Sequence, residues 1–438
     1  MNAASPNATP ARAAAFDILR AVRQGELADR ALARVIDGIP QRERAFAQEL
    51  TYGVLRMRGR IDHRLSQVVT RPLREIEADA LDALRIGAYQ LLDLNGIPPY
   101  AAVSESVELV KPRGSGVAGF VNGVLKGLQR ARDLRFPSLE RDPAGYLTTW
   151  GSHPRWLVER WLKHYGAEGA AALVEADNRR PELCIQPLTM SAADAVATLA
   201  AEGLAADVLD APTGGIRLTH GDVAHALRLV PGIVQDPAAR LVTRYVEPDP
   251  GDVVLDLCAA PGGKALGLAQ QAAYVAAADL SFARLGRVRE NFARLRDQDV
   301  QVNGGLVVAD ARRPPFRRAD IVFIDAPCTG TGTLRRHPDG RWRLQPADLK
   351  TLVELQREIL SEAVPLVPVG GLLVYATCSL EPEENELQME WLRKMDPRFE
   401  PAPPASFPVQ LDRRGQLRVL PHEHGFDGAF AARLRRVR

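Results

Sequence analysis

The first 140 residues repeat apolar side chains at the spacing of amphipathic α-helices. In the first run, Ala14, Ile18, Leu19 and Val22 fall on one helical face. Breaks rich in proline and glycine separate the successive runs. The predicted helices are Ala11–Val22, Arg44–Met57, Ile61–Val69, Ala78–Leu92, Ser104–Leu109 and Gly119–Gln129. We therefore predict an all-α domain over residues 1–140.

The pattern between residues 141 and 231 mixes helical and strand-like runs. A helix is predicted over Arg155–Tyr165, a strand over Leu183–Gln186, a helix over Ser191–Glu202 and a strand over Gly215–Leu218. We interpret this region as a small α/β unit between two larger domains.

From Gly232 onward, short apolar strands alternate regularly with helices. The predicted strands are Val253–Leu257, Tyr274–Ala278, Gly305–Val308, Ile321–Ile324 and Leu372–Ala376. The helices between them include Lys264–Gln271, Ser281–Leu295 and Pro346–Val364. Nearly continuous apolar strands indicate a parallel sheet covered on both faces, whose ligands bind at the carboxyl ends of the strands. Residues 232–438 should therefore carry the chemistry.

Composition excludes several classes of protein. The 438 residues are 46% hydrophobic and 25% charged, which is ordinary for globular domains and unlike disordered chains. No stretch reaches the roughly 18 apolar residues of a membrane span, and Met1–Ala15 lacks a signal pattern. Four scattered cysteines favour a reducing compartment. We expect a cytoplasmic protein.

Charge by itself does not identify a partner. The formal net charge is only +2, but nucleic-acid binding depends on local patches. Arg56, Arg58, Arg60 and Arg64 lie close together at one helix end. We expect them to form a solvated charged face rather than an RNA-binding patch.

The first strand of the last region leads into a glycine turn, Asp256–Lys264. A P-loop would need glycine where Cys258 stands and serine or threonine where Ala265 stands, so a nucleoside triphosphatase is excluded. The dinucleotide fingerprint G-x-G-x-x-G is also absent. Asp279 ends the next strand about 20 residues later, where an acidic residue can bind ribose hydroxyls. For Asp279 alone, a helix cap would be the better explanation.

Further acidic and sulfur side chains follow the later strands. Asp310 follows the third strand, Asp325 ends the fourth with Cys328 just after it, and Cys378 follows the fifth. Two cysteines at adjacent strand ends could form a metal site, a redox dithiol or a nucleophilic centre, or simply pack the core. The usual spacing of metal sites and redox dithiols is missing.

Three segments together resemble RNA cytosine-5 methyltransferases. They are DLCAAPGGK, DAPCTGTG, and TCSL with PEENE after it. ARAAAFDIL and ELTYGVLRMRGRIDHRL resemble the NusB-like RNA-binding domain. In this order the two parts resemble the ribosomal RNA small-subunit methyltransferase B family, over nearly the whole chain. The resemblance implies a NusB-like domain, a Rossmann-like class I methyltransferase domain, S-adenosylmethionine as cofactor and 16S ribosomal RNA as substrate. We expect a monomer.

The resemblance also implies roles for individual residues. Cys378 resembles the nucleophile that adds to C6 of cytosine, Asp325 the acid at the N3 edge, and Cys328 the cysteine that assists product release. An unperturbed thiol has a pKa of about 8.5, so Cys378 would need activation. The implied cofactor-binding residues are Cys258, Ala259, Ala260, Pro261, Gly262, Gly263, Lys264, Asp279, Arg284, Asp310 and Asp325.

Two segments depart from the family pattern. Cys184–Pro187 stands where the family has an arginine and an asparagine that could face RNA, and Ala429 replaces a phenylalanine. Gln235–Ala239 resembles another family motif, although a helix cap at Asp236 explains it nearly as well.

Other functions stay open at this point. A DNA cytosine-5 methyltransferase would use the Pro-Cys cysteine, Cys328, as nucleophile. Another RNA, such as tRNA, could be the substrate. The chain could also be a NusB-like RNA-binding or assembly factor with a vestigial catalytic domain.

Overall fold

The computed structural model describes residues 8–131, 133–210 and 213–438. Residues 1–7, the beginning of the stretch without a signal pattern, lie outside the described residues. The chain divides into two compact units. The helical unit contains the residues up to Arg180 together with Leu334–Leu344, and the α/β unit contains Pro181–Thr333 and Gln345–Arg438.

The helices of the described chain are α1 (Pro10–Arg23), α2 (Ala28–Ile36), α3 (Gln41–Ser66), α4 (Ala78–Leu92), α5 (Pro99–Val110), α6 (Ser115–Arg130), α7 (Pro143–Thr149), α8 (Arg155–Asn178), α9 (Ala192–Ala201), α10 (Val223–Leu229), α11 (Pro237–Val246), α12 (Gly263–Ala269), α13 (Phe282–Asp297), α14 (Gly340–Arg343), α15 (Pro346–Ala363), α16 (Glu386–Met395) and α17 (Pro421–His424). The strands are β1 (Leu183–Pro187), β2 (Ala205–Val208), β3 (Ile216–His220), β4 (Gly232–Val234), β5 (Val253–Asp256), β6 (Tyr274–Asp279), β7 (Gly304–Val308), β8 (Ile321–Asp325), β9 (Leu372–Thr377), β10 (Phe399–Pro401), β11 (Leu417–Val419) and β12 (Ala429–Arg436). None of these helices combines the length and the apolarity that a membrane span requires.

The helical unit confirms the predicted all-α start of the chain, with two differences. The predicted helices Arg44–Met57 and Ile61–Val69 belong to the single helix α3. A Cβ atom at Gly59 between them would lie 2.7 Å from the carbonyl oxygen of Thr148, so glycine serves close packing there and does not end the helix. Helix α2 was not predicted, because its nine residues bury only Ala28 and Ala31.

Arg56 is buried, and the other three arginines expected on a solvated face are only partly exposed. Arg60 Nε donates to the carbonyl oxygen of Trp150 at 2.9 Å, and its guanidinium carbon lies 4.0 Å from the centre of the Trp150 ring. Arg64 donates to Asp93 at 2.7 Å, and Arg56 is buried. The expectation of a solvated face was wrong, because helical spacing does not reveal which rings and carboxylates the fold brings to that helix.

The segment Leu334–Leu344 packs in the helical unit through a buried arginine. Arg341 is fully buried, and its guanidinium donates to the carbonyl oxygens of Arg56 at 3.0 Å and Asp177 at 2.7 Å. It also donates to Asn178 Oδ1 at 2.7 Å. Burial lowers the pKa of Arg341 to about 9, so these acceptors are what keep the charged form in place.

The α/β unit begins with an antiparallel sheet of order β2-β3-β1-β4. Its chain order, β1-α9-β2-β3-α10-β4, is that of a split βαβ, or ferredoxin-like, fold. The predicted small α/β unit is therefore confirmed as a fold, but its predicted helix Arg155–Tyr165 is part of α8 in the helical unit. Elements β2, α10 and β4 were not predicted. Strand β2 is mostly exposed and so lacks a hydrophobic signal.

The larger sheet has the order β10-β12-β9-β8-β5-β6-β7, with β11 paired to β12. Strands β5 to β9 are parallel, as predicted, and the switch in strand order lies between β5 and β8. The C-terminal strand β12 adds to β9 antiparallel, so the sheet is mixed rather than wholly parallel. Neighbouring residues of β5, Val254 and Leu255, belong to cores on opposite faces of the sheet. The functional end of such a sheet is at the switch point.

We predict that Arg341→Leu lowers the free energy of unfolding by about 3 kcal/mol, because several buried acceptors lose their donor. Urea denaturation followed by circular dichroism measures this change. The exposed neighbour Arg343 provides the control, and Arg343→Leu should change stability by less than about 0.5 kcal/mol. Equal effects of the two substitutions would contradict the role of Arg341.

Candidate active site

The carboxyl ends of the parallel strands collect acidic side chains at one edge of the sheet. Asp256, Asp279 and Asp325 are the last residues of β5, β6 and β8, and Asp310 follows β7 by two residues. Cys378 comes directly after β9. The parallel register therefore brings together residues that are more than 100 positions apart in the chain, such as Asp256 and Cys378.

Asp279 shapes the glycine turn between β5 and α12. One of its carboxylate oxygens accepts from the backbone N–H of Ala260 at 3.1 Å, and the other accepts from Ser281 N–H at 2.9 Å. Gly262 has φ +104°, and a Cβ atom there would lie 2.8 Å from Val288. Only glycine fits at that position, so the turn packs closely against α13.

Arg284 lies against the same turn, as its position in α13 suggested. Its guanidinium donates to the carbonyl oxygen of Ala260 and lies 3.8 Å from the Asp279 carboxylate. Asp310 instead is paired with Arg312, which donates through its backbone N–H at 2.9 Å and through Nη2 at 2.8 Å. These hydrogen bonds from Arg312 lower the pKa of Asp310.

Lys264 and Asp325 form an ion pair across the turn, with Nζ 2.6 Å from Oδ2. Burial of Lys264 favours its neutral form, but the neighbouring Asp325 carboxylate outweighs burial and raises the lysine pKa. Asp256 is completely buried behind this pair. Burial, reinforced by Asp325, raises the pKa of Asp256 to about 8. Lys264 thus pairs with Asp325 in front of a buried carboxyl group, Asp256, whose pKa is raised.

Cys328 and Cys378 meet with their sulfur atoms 3.4 Å apart. The hydrogen bond from Cys328 lowers the pKa of Cys378, with a smaller contribution from the Lys264 ammonium. The same hydrogen bond, together with burial, raises the pKa of Cys328. Cys378 is therefore the thiol that ionises first, and Cys328 is the one that keeps its proton.

The other two cysteines differ from this pair. Burial and the surrounding aspartates raise the pKa of the Cys258 thiol in the glycine turn. The surroundings of the Cys258 sulfur therefore disfavour a thiolate. Cys184 is buried in β1.

Glu384 connects the two cysteine turns, and the sequence reasoning assigned it no role. It is completely buried, and its Oε1 accepts from the backbone N–H of Thr329 at 2.9 Å and from Gln356 at 3.0 Å. Its Oε2 accepts from the Thr329 hydroxyl, which in turn lies 3.1 Å from the Ser379 hydroxyl. Thr329 follows Cys328, and Ser379 follows Cys378. The only sequence signal was the PEENE run, whose second glutamate is Glu384.

Backbone hydrogen bonds also join the two cysteine turns to each other and to Gly428. Gly332 N–H donates to the carbonyl oxygen of Cys378 at 2.9 Å, and Gly428 N–H donates to Gly332 at 2.7 Å. A Cβ atom at Gly332 would lie 2.7 Å from Gly428 Cα. Asp236 caps α11 as expected and also accepts from Asp427 N–H at 3.1 Å. The Asp427–Phe430 segment therefore supports the cysteine turns through Gly428.

We predict that Glu384→Gln shifts the ionisation of Cys378 to lower pH, because the Glu384 carboxylate raises the pKa of that thiol. Glutamine can keep the acceptor for Thr329 N–H and Gln356, so the fold should persist. The rate of iodoacetamide alkylation of Cys378 against pH measures the shift. Glu390→Gln, on the exposed side of α16, is the matched control. An unchanged midpoint in Glu384→Gln would contradict the electrostatic link.

Comparison with known protein families covers all three parts of the chain. Residues 9–130 match the NusB family, residues 153–224 match the ferredoxin-like domain of RsmF/B-like methyltransferases, and residues 243–435 match the 16S rRNA methyltransferase RsmB/F family. These parts follow one another in the expected order. The domain boundaries near residues 140 and 231 stay a prediction.

Individual proteins agree with the family matches. A probable ribosomal RNA small subunit methyltransferase B from Synechocystis is 34% identical over 98% of this chain and 99% of its own. Its counterpart from Bacillus subtilis is 33% identical over 91% of this chain and 92% of its own. The solved structure of PH0851 matches 98% of this chain and 100% of its own with a TM-score of 0.79, at 24% identity, and so shows the shared fold. The chain therefore belongs to the ribosomal RNA small subunit methyltransferase B family.

Proposed function

We propose that this protein transfers a methyl group from S-adenosylmethionine to C5 of a cytosine in 16S ribosomal RNA. The observation that carries the proposal is the Cys328–Cys378 pair beside Lys264 and Asp325, at the switch point of the sheet. The names of the related proteins support small-subunit ribosomal RNA as the substrate.

The residues of the glycine turn fit the proposed cofactor. Asp256 Oδ2 and both polar side-chain atoms of Gln235 are buried and have no hydrogen-bond partner among the described residues. Gln235 Nε2 lies 3.4 Å from the position of a Cβ atom at Gly263, where glycine leaves the space open. Unpaired buried polar groups beside an open turn are suited to the polar groups of a ligand.

We infer that the segment Cys258–Lys264 holds the cofactor, with Asp279 and Arg284 at its ribose and Asp310 beside its adenine. Asp325 borders the same space through its ion pair with Lys264. When bound, the cofactor supplies an electrophilic methyl group on a sulfonium sulfur. For Asp310 to accept a hydrogen bond from adenine along the direction that Arg312 now occupies, the Arg312 side chain must turn away.

The two cysteines divide the work on the base. The Cys378 thiolate adds to C6 of the cytosine, which forms an S–C6 bond and moves electron density to C5. Asp325 contacts the N3 edge, and its 2.6 Å contact with Lys264 offers a path for a proton to that carboxylate. Once Cys378 is bonded to C6, Cys328 loses its own proton to solvent, and its thiolate then takes the C5 proton after methylation. Expulsion of Cys378 from C6 then releases the product.

The helical unit and the ferredoxin-like sheet would position the RNA. A base within structured RNA must be unstacked before C6 can reach a sulfur at a sheet edge. Neither part carries residues of the Cys328–Cys378 site, so their contribution is to hold the RNA while the larger sheet acts on the base.

RNA containing 5-fluorocytidine tests the assignment of the nucleophile, because fluorine at C5 prevents release of the adduct. With cofactor present, the wild-type protein and Cys328→Ala should form a covalent complex with this RNA, and Cys378→Ala should form none. Denaturing gel electrophoresis detects the complex. A complex that survives Cys378→Ala but disappears in Cys328→Ala would reverse the roles and favour the DNA-type mechanism.

Calorimetry tests the cofactor site independently of RNA. We expect Asp279→Ala to weaken S-adenosylmethionine binding about 10- to 100-fold, as for loss of a hydrogen bond to a charged group. Asp297→Ala, at the exposed end of α13, should leave binding unchanged. Absence of binding by the wild-type protein would favour an RNA-binding factor with a vestigial catalytic domain. Comparing 16S ribosomal RNA with tRNA as methyl acceptors would identify the substrate class.

A further inference from the structure

The sulfur atoms of the cysteine pair lie close enough to form a disulfide after a small movement. The two sulfur atoms are 3.4 Å apart, and a disulfide bond is about 2.05 Å long. Closing the bond therefore requires the sulfurs to approach by about 1.4 Å. Both thiols are free and only partly exposed.

The surrounding backbone keeps the two sulfurs as neighbours. Glu384 joins Thr329 to the structure around Ser379, and Gly332 N–H donates to the carbonyl oxygen of Cys378. Gly330 has φ +68°, and a Cβ atom there would lie only 3.9 Å from Cys378 Sγ. The turns thus hold the two thiols together.

The electrostatics separate a reactive thiol from a resolving thiol. Cys378 has the lowered pKa, and the thiolate is the form that reacts with peroxides. Cys328 lies in direct contact and can attack the oxidised sulfur. Cys258, whose pKa is raised by burial and by nearby aspartates, stays a thiol and is disfavoured in this reaction.

We propose that the Cys328–Cys378 pair is a modification site at which hydroperoxides form a reversible intrachain disulfide. The Cys378 thiolate attacks the peroxide, so that an S–O bond forms, the O–O bond breaks and hydroxide or alkoxide leaves. Cys328 then attacks the sulfenic acid, so that the S–S bond forms and the S–O bond breaks. The departing hydroxide takes the Cys328 proton as water. Two thiols are oxidised and one peroxide is reduced.

The consequence for activity rests on the proposed function, in which Cys378 must be free to add to cytosine. Methyl transfer stops while the disulfide is present. Reduction of the disulfide by a dithiol restores methyl transfer. The disulfide also protects Cys378 from further oxidation. A sulfenic acid that Cys328 has converted to a disulfide cannot be oxidised to the irreversible sulfinic acid.

Peptide mapping of the full-length protein tests the proposal. The reduced protein, freed of reductant, is treated with hydrogen peroxide and digested without reduction. We expect two of the four free thiols to disappear, the intact mass to fall by two hydrogens, and one cross-linked peptide to contain Cys328 and Cys378. Dithiothreitol should reverse all three changes. Cys258→Ser, the matched control, should form the same cross-link.

Cys328→Ser removes the resolving thiol and should leave Cys378 with two added oxygens that dithiothreitol does not remove. Oxygen addition to Cys378 of the wild-type protein without a cross-link would overturn the proposal. So would a cross-link between molecules or to Cys258. These readouts are masses and do not depend on activity. A missing cross-link would therefore not contradict the proposed methylation. Loss of methylation activity alone would not contradict the proposed disulfide.

Discussion

A buried carboxylate that joins two loops is the constraint on which the site depends. Glu384 accepts hydrogen bonds from Thr329 and Gln356 in a place without water contact, so separation of the cysteine turns would leave a buried charge and its donors unpaired. This cost holds the turns after β8 and β9 in one arrangement. The contact between the Cys328 and Cys378 sulfurs is the result.

Around that contact, burial and charge give three nearby thiols three different proton affinities. Cys378 is acidified by the Cys328 hydrogen bond and by Lys264, Cys328 is made less acidic by the same contact, and Cys258 is kept neutral among aspartates. Lys264, the ion-pair partner of Asp325, is the lysine that helps to lower the pKa of Cys378. The same residue type therefore has three different proton affinities, depending on its neighbours.

The segment that follows the Cys328 turn in the chain belongs to the helical unit. The residues after Thr333 fold with the helical unit, where Arg341 is buried among carbonyl oxygens, and the chain returns to the α/β unit at Gln345. Removal of the helices would leave this guanidinium without its acceptors. The helical part is thus required for the folding of a segment that directly follows the site.

Periodicity and motifs were sufficient for the parallel strands, for most helices and for the spacing of Asp256, Asp279, Asp325 and Cys378, because apolar runs and strand-end residues depend on local sequence. Tertiary structure decided the rest. Strand β12 joins β9 across more than 50 residues, Arg60 meets a ring from α7's end, and Glu384 reaches Thr329 from 55 positions away. Such contacts depend on which distant groups share a buried space, and no local pattern encodes that. The sequence by itself determined which residues could do the chemistry, and the tertiary structure decided which sulfur loses its proton, because only packing sets the distances and the burial that govern ionisation.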